Sequence, residues 1–356
     1  MSKPKKVPAM SFAERLRNGE GPLLLYEVVP PDRSAPQERE HHLAEYVSRL
    51  LADQAVHAVN VPEIRTEERD GHRVTGLLEK QDPRQFGTAV SDLLDGDVDT
   101  VVNHVTVYES RDAQREWFRS TFTDFGIDDV VLVGGESSDV DYPGPGVTEA
   151  AALAREVGES VGIDPCLGAI TIPSRRREDF DEPERMVSKQ RAGIEYFTSQ
   201  VIYDPAATRA LLRDYDAACA EAGVEPATVF LSFAPITGRK DVRFLEWLGV
   251  DIPDHVIDWV LDDGVNPTHR SVRVAEHVLY DVLRFVEREE LDVPVGLNVE
   301  HIMRYNFEAS ELLLDRLSSL LEWRSHAGPP PAPEESPEVA TDPQTTDRKA
   351  DHRHDD

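Results

Sequence analysis

One carboxylate stands inside an otherwise apolar run, Leu23-Leu24-Leu25-Tyr26-Glu27-Val28-Val29-Pro30-Pro31. Burial disfavours the charged form of such an acid and raises its pKa, which is the property a general acid needs. The same glutamate on an edge strand would simply face solvent. Other polar residues end apolar runs: Asn60 ahead of Pro62-Glu63, His104 with Thr106, the loop from Gly134 through Gly135 and Glu136 to Asp139, Thr171 with Ser174, Gln200, Thr237, and Asn298 with Glu300. Gln200 lies among Phe197, Val201, Ile202 and Tyr203, where a buried amide must find partners for two donors and an acceptor. Lys189 is one of seven lysines in the chain and precedes Gln190-Arg191-Ala192-Gly193, a setting for a specific anion or ring contact. His-Glu-x-x-His and cysteine clusters are absent, so no metal site is expected. The strand-end serines follow glycine or proline in loops, which gives no Ser-His-Asp arrangement. Chemistry by an organic cofactor is the expectation.

Eight β-branched runs could position these side chains: Leu23 to Val29, Ala55 to Val61, Thr100 to Val107, Val130 to Val133, Cys166 to Ile172, Tyr196 to Ile202, Thr228 to Ile236 and Val293 to Val299. Each reads as a strand buried on both faces, and stretches of helical period separate them. Eight alternating units predict an α/β fold, a (β/α)8 TIM barrel, with the strand-end residues sharing one mouth. An open doubly wound sheet is the competing arrangement, but no Gly-x-Gly-x-x-Gly follows the first strand. Gly238 to Leu291 must hold more than one helix. We divide the chain into an N-terminal extension with a short helix (1–20), the barrel (21–326) and an acidic, Pro-rich tail (327–356) expected to be disordered. His352-Arg353-His354 in that tail reads as solvated. The apolar face of Ala275 to Val286 packs on the barrel or on another subunit, so a homo-oligomer stays open.

The 68 acidic residues give a formal charge of −30, which argues against nucleic acid or an anionic membrane as partner. Abundant carboxylate with few lysines is the pattern of a high-salt cytoplasm, where screening relieves self-repulsion. Two cysteines, Cys166 and Cys219, make no disulfide framework and read as buried small hydrophobes. No apolar run reaches the roughly 20 residues of a membrane span, and a cytoplasmic location is expected.

The Glu27-Val28-Val29-Pro30-Pro31 opening, His104-Val105-Thr106, Gly134-Gly135-Glu136, Gly168 to Pro173, and Lys189-Gln190-Arg191-Ala192-Gly193 leading to Gln200 and Asp204 together resemble methylenetetrahydrofolate reductases. The similarity runs from about Leu23 to Leu321 and implies a (β/α)8 barrel. It implies reduction of 5,10-methylenetetrahydrofolate to 5-methyltetrahydrofolate with NADH or NADPH, through FAD or by direct hydride transfer. Glu27 would protonate folate N10, Gln200 would contact the pterin, and Asn60, Thr237 and Arg239 would line the folate site. His104, Thr106, Gly134, Gly135, Glu136, Thr171 and Lys189 fall where the family holds FAD. Gly134, Ile172, Pro62 and Arg239 depart from the family pattern, which weakens the case for FAD more than that for folate. A folate- or corrinoid-binding partner of a methyltransferase, without catalysis of its own, is the alternative. A barrel acting on another substrate is a third possibility.

Overall fold

The computed structural model describes residues 10–52, 54–65, 79–94, 96, 98–135, 140–175, 181–303 and 305–326. Eight parallel strands close on themselves in chain order: β1 (Leu24–Val28), β2 (Ala58–Pro62), β3 (Asp99–Val105), β4 (Asp129–Val133), β5 (Cys166–Thr171), β6 (Tyr196–Val201), β7 (Thr228–Phe233) and β8 (Val295–His301). The expected (β/α)8 barrel is observed, strand for strand. Helices α1 (Phe12–Arg17), α2 (Gln37–Leu51), α3 (Pro83–Leu93), α4 (Arg111–Thr123), α5 (Val147–Val161), α6 (Glu182–Arg191) and α7 (Pro205–Ala222) precede the seventh strand. The stretch between β7 and β8 holds three helices, α8 (Arg239–Trp247), α9 (Asp254–Val260) and α10 (Pro267–Arg288), and α11 (Phe307–His326) follows β8. No described helix is long and apolar enough to cross a membrane. The tail after residue 326 lies outside the described residues.

Several helices start at an acidic or amide residue ahead of proline. Asp82, Asp204 and Asn266 each accept a backbone N–H two residues on, from Arg84, Ala206 and Thr268 at 2.8–2.9 Å. Proline then occupies the first helical position, where its missing N–H costs nothing. Asp204, part of the motif that carried the family resemblance, is therefore the cap of α7.

The barrel interior alternates large and small residues. Phe12 of α1 plugs its N-terminal end, 5.5 Å edge-on to Tyr196 and 5.8 Å from Phe230 between ring centroids, and its N–H is held by the Asp99 carboxylate. The short helix before the barrel is thus part of the core. Gly168 stands beside Tyr196 and Gly296 beside Phe230 in register. A Cβ at either glycine would come within 2.5–2.6 Å of the neighbouring ring. On the outer face, Leu24, Tyr26, Val59, Val102, Leu132 and Leu231 pack against the helices. Ala275, Leu279, Val282 and Val286 of α10 join that layer, so the apolar face of α10 covers the barrel itself. Cys166 and Cys219 are buried free thiols.

Candidate active site

Successive strand side chains point to opposite faces, so residues two apart share a face. Leu25, Ala58, Val101 and Phe230 fill the barrel interior. Glu27, Asn60, Asn103 and Ser232 follow each of them by two positions and form the next layer toward the C-terminal mouth. Asn298 and Glu300 follow Gly296 on β8. Register pairs Glu27 with Asn60 on one side and with Glu300 on the other, and pairs Ser232 with Asn298.

Amides hold the Glu27 carboxyl. Asn60 Nδ2 donates to Oε2 at 2.7 Å and Asn298 Nδ2 donates to the same oxygen at 3.3 Å, while the nearby Asn103 amide also favours the charged form. Burial pushes Glu27 up to about 7, against the opposing pull of the Asn298 and Asn103 bonds. Burial and then the neighbouring Glu27 charge carry Glu300 well above the usual carboxylate range, despite bonds from Ser232 and Asn298. Neither carboxyl has a charged partner among its described contacts. The Oδ1 atoms of Asn60, Asn103 and Asn298 are buried with no hydrogen-bond partner among the described residues. Unsatisfied amide oxygens beside two protonatable acids suit a ligand that brings N–H donors and a basic nitrogen.

The expectation that all the strand-end residues share this mouth fails for His104, Thr106 and Thr171, because of parity, and Lys189 of α6 also lies behind the strands. His104 follows Asn103 and therefore faces the helices. Its ring stacks on Trp117 at 3.5 Å, with Nδ1 on Glu63 Oε2 at 2.7 Å and Nε2 on Gln114 Oε1 at 2.6 Å. Burial alone would raise Glu63, but the bonds from His104 and the Val105 N–H, with the nearby Arg65, hold it down to about 2. Thr106 is fully buried and donates to the carbonyls of Pro145 at 2.9 Å and Val133 at 3.3 Å. Thr171 donates to Glu182 Oε1 at 3.1 Å behind β5. Lys189, lowered to about 8 by burial, donates to the Ile170 carbonyl at 2.8 Å and lies 5.9 Å from the Phe197 ring centre. The polar atoms of His104, Thr106 and Thr171 are held by protein partners behind the strands, and Lys189 gives one N–H to Ile170 there. Gly134 and Gly135 lie after β4, and a Cβ on Gly135 would strike the Tyr142 ring at 2.3 Å. Glu136 lies outside the described residues.

The remaining positions stay near the mouth. Gln200 is the penultimate residue of β6, where the register with β7 shifts, and its Nε2 donates to the Leu248 carbonyl at 3.2 Å. Thr237 donates its N–H and its hydroxyl to Asp241 Oδ2, both at 2.6 Å, which closes the start of α8. Arg239 is exposed on the first turn of that helix.

No family model matches the chain, and no curated protein does. Among solved structures, an uncharacterized protein from Clostridium thermocellum that binds two copies of 5-methyl-5,6,7,8-tetrahydrofolic acid superimposes with a TM-score of 0.70. The two are 18% identical over 86% of this chain and 98% of that one. An EDTA monooxygenase from Chelativorans sp. BNC1 gives a TM-score of 0.46 at 12% identity, over 86% and 95%. The first likeness shows the barrel fold, and the second carries nothing further.

A cavity of about 1200 Å³ opens at the ends of β2 and β3, lined by Arg33, Arg65, Lys80, Arg84, Tyr108 and Trp117 among others. Its cations are paired, Lys80 with Asp32 at 2.6 Å, Arg65 with Glu63 at 2.7 Å, Arg84 with Asp82 at 2.6 Å and Arg33 with Glu79. Asn103 and Ser232 escaped the sequence reading, and Asn298 and Glu300 were named there without a role. Parity counted from the interior residues Val101 and Phe230 is the signal that finds them.

Proposed function

We propose that this chain reduces 5,10-methylenetetrahydrofolate, or a close tetrahydropterin relative, to its 5-methyl form, with a reduced nicotinamide as hydride donor and Glu27 as the acid. The observation that carries this reading is a mouth-facing carboxyl that accepts from the Asn60 and Asn298 amides, has no cation among its described contacts, and is raised by burial. Opening the five-membered ring of the substrate requires a proton on N10, and an acid near neutrality supplies it. The unsatisfied oxygens of Asn60, Asn103 and Asn298 match the N–H groups of a reduced pterin. The Clostridium thermocellum neighbour, which binds 5-methyltetrahydrofolate, lends support to a folate ligand.

Direct transfer within a ternary complex is the route we favour, because His104, Thr106 and Thr171, three of the positions expected to hold FAD, bond to protein behind the strands. In that complex Glu27 delivers the proton while the asparagine ring fixes the pterin edge. The cavity beside the mouth has the size and, in Tyr108 and Trp117, the aromatic rings for the distal part of a folate-sized ligand. The test is anaerobic oxidation of NADH or NADPH with methylenetetrahydrofolate in molar potassium chloride, a medium that also suits a chain of charge −30. Turnover in the wild type with a loss of about 100-fold or more in Glu27→Gln supports the reading. Tight binding of 5-methyltetrahydrofolate without any turnover would instead support the carrier alternative, which the ligand of the neighbour favours.

A further inference from the structure

We propose that Glu27 and Glu300 form a proton-sharing carboxyl pair in which Glu300 is a positioning residue that returns a proton to Glu27. The inference rests on the reductase reading for its catalytic meaning, whereas the pair itself stands on geometry. Glu27 of β1 and Glu300 of β8 are register partners on hydrogen-bonded neighbouring strands, and both point inward by parity. Strands lie about 4.8 Å apart, so side chains at one level on one face meet. One nitrogen, Asn298 Nδ2, lies 3.3 Å from Glu27 Oε2, 3.3 Å from Glu300 Oε1 and 3.0 Å from Ser232 Oγ.

Two amide hydrogens cannot serve three acceptors well. A proton on either carboxyl removes the deficit by turning an acceptor into an O–H donor. The groups facing the pair are uncharged or acidic. β2 and β3 contribute Asn60 and Asn103, β7 contributes Ser232, and β8 contributes Asn298. The Tyr203 hydroxyl after β6 is turned to the Ala234 carbonyl, and Asp241 of α8 is occupied by Thr237 and Tyr305. Two like carboxyls in such a site ionise in two separated steps that belong to the pair. Burial raises both carboxyls, and the Glu27 charge raises Glu300 further, in agreement with that coupling.

The proton balance is simple. The Glu27 O–H bond breaks as the substrate amine takes the proton. The Glu300 O–H bond then breaks as its proton passes to Glu27, and the pair recovers one proton from water at the mouth. No oxidant or reductant enters these steps. As long as the pair retains one proton, Glu27 can hold it, so activity persists above the first ionisation.

Carboxyl infrared difference titration of the full chain, from about pH 5 to about pH 10, tests the pair without turnover. The wild type should show two separated losses of a carboxyl proton. Glu300→Gln should leave one, and Glu27→Gln should leave Glu300 titrating at a lower pH than in the wild type. The alkaline limb of kcat/KM in Glu300→Gln should fall by about one pH unit or more, with partial recovery in Glu300→Asp. Should both Gln variants show the remaining carboxyl titrating where it does in the wild type, the pair is overturned, even if folate is reduced. Paired titration in a protein that reduces no folate upholds the pair and overturns the reductase reading.

Discussion

Asn60 Nδ2 donates to Glu27 Oε2 at 2.7 Å across the β1–β2 ladder, a shorter bond than the one from Asn298. A hydrogen bond to a carboxylate favours its charged form, so this amide restrains the pKa that burial raises. Replacing Asn60 by Ala should remove a bond to a charged group worth roughly 1.5–3 kcal/mol. Glu27 should then titrate about one pH unit higher or more. Infrared titration of Asn60→Ala checks this, and an unmoved or lowered midpoint would contradict it.

The raised pKa of Glu27 is also a statement about stability. Its folded value, about 7, lies above the unfolded glutamate value, so between about pH 4.5 and 7 the native state binds the extra proton. Stability contributed at this site is therefore present at acid pH and is lost as pH rises through about 7. The full loss is of order 3 kcal/mol. Thermal melts of the wild type and Glu27→Gln across that window should diverge, with the variant gaining relative stability as pH rises. Parallel curves would show that Glu27 is ordinarily solvated.

His104 supports the scaffold. Its ring joins Glu63, Gln114 and Trp117 behind β3. His104→Ala should remove one of the bonds that hold the Glu63 carboxylate, which keeps Arg65 and the Val105 N–H, and cost about 1.5–3 kcal/mol. Denaturant melts read that loss, while the KM for the nicotinamide in the folded fraction should hold. A large rise in that KM without loss of stability would place His104 against the cofactor after all.

Gly168 and Gly296 leave room for the Tyr196 and Phe230 rings. An added methyl at either position forces a ring that is fully buried to shift, at about 1–3 kcal/mol. Gly158, where a Cβ would meet the backbone of Ile163 at 2.6 Å, should be at least as intolerant. Urea midpoints of the Gly→Ala variants measure both effects.

The sequence by itself determined the barrel. Eight apolar runs separated by helical stretches leave few other ways to bury strands on both faces, and each expected run overlaps an observed strand. It also singled out Glu27, because a carboxylate among Leu25, Tyr26 and Val28 is conspicuous in one dimension. Partnership was decided only in three dimensions. Whether His104 or Asn103 faces the mouth turns on a single step of strand parity, which a run buried on both faces does not display. Glu27 and Glu300 lie 273 positions apart in the chain, and only closure of β8 onto β1 brings their carboxyls to one nitrogen.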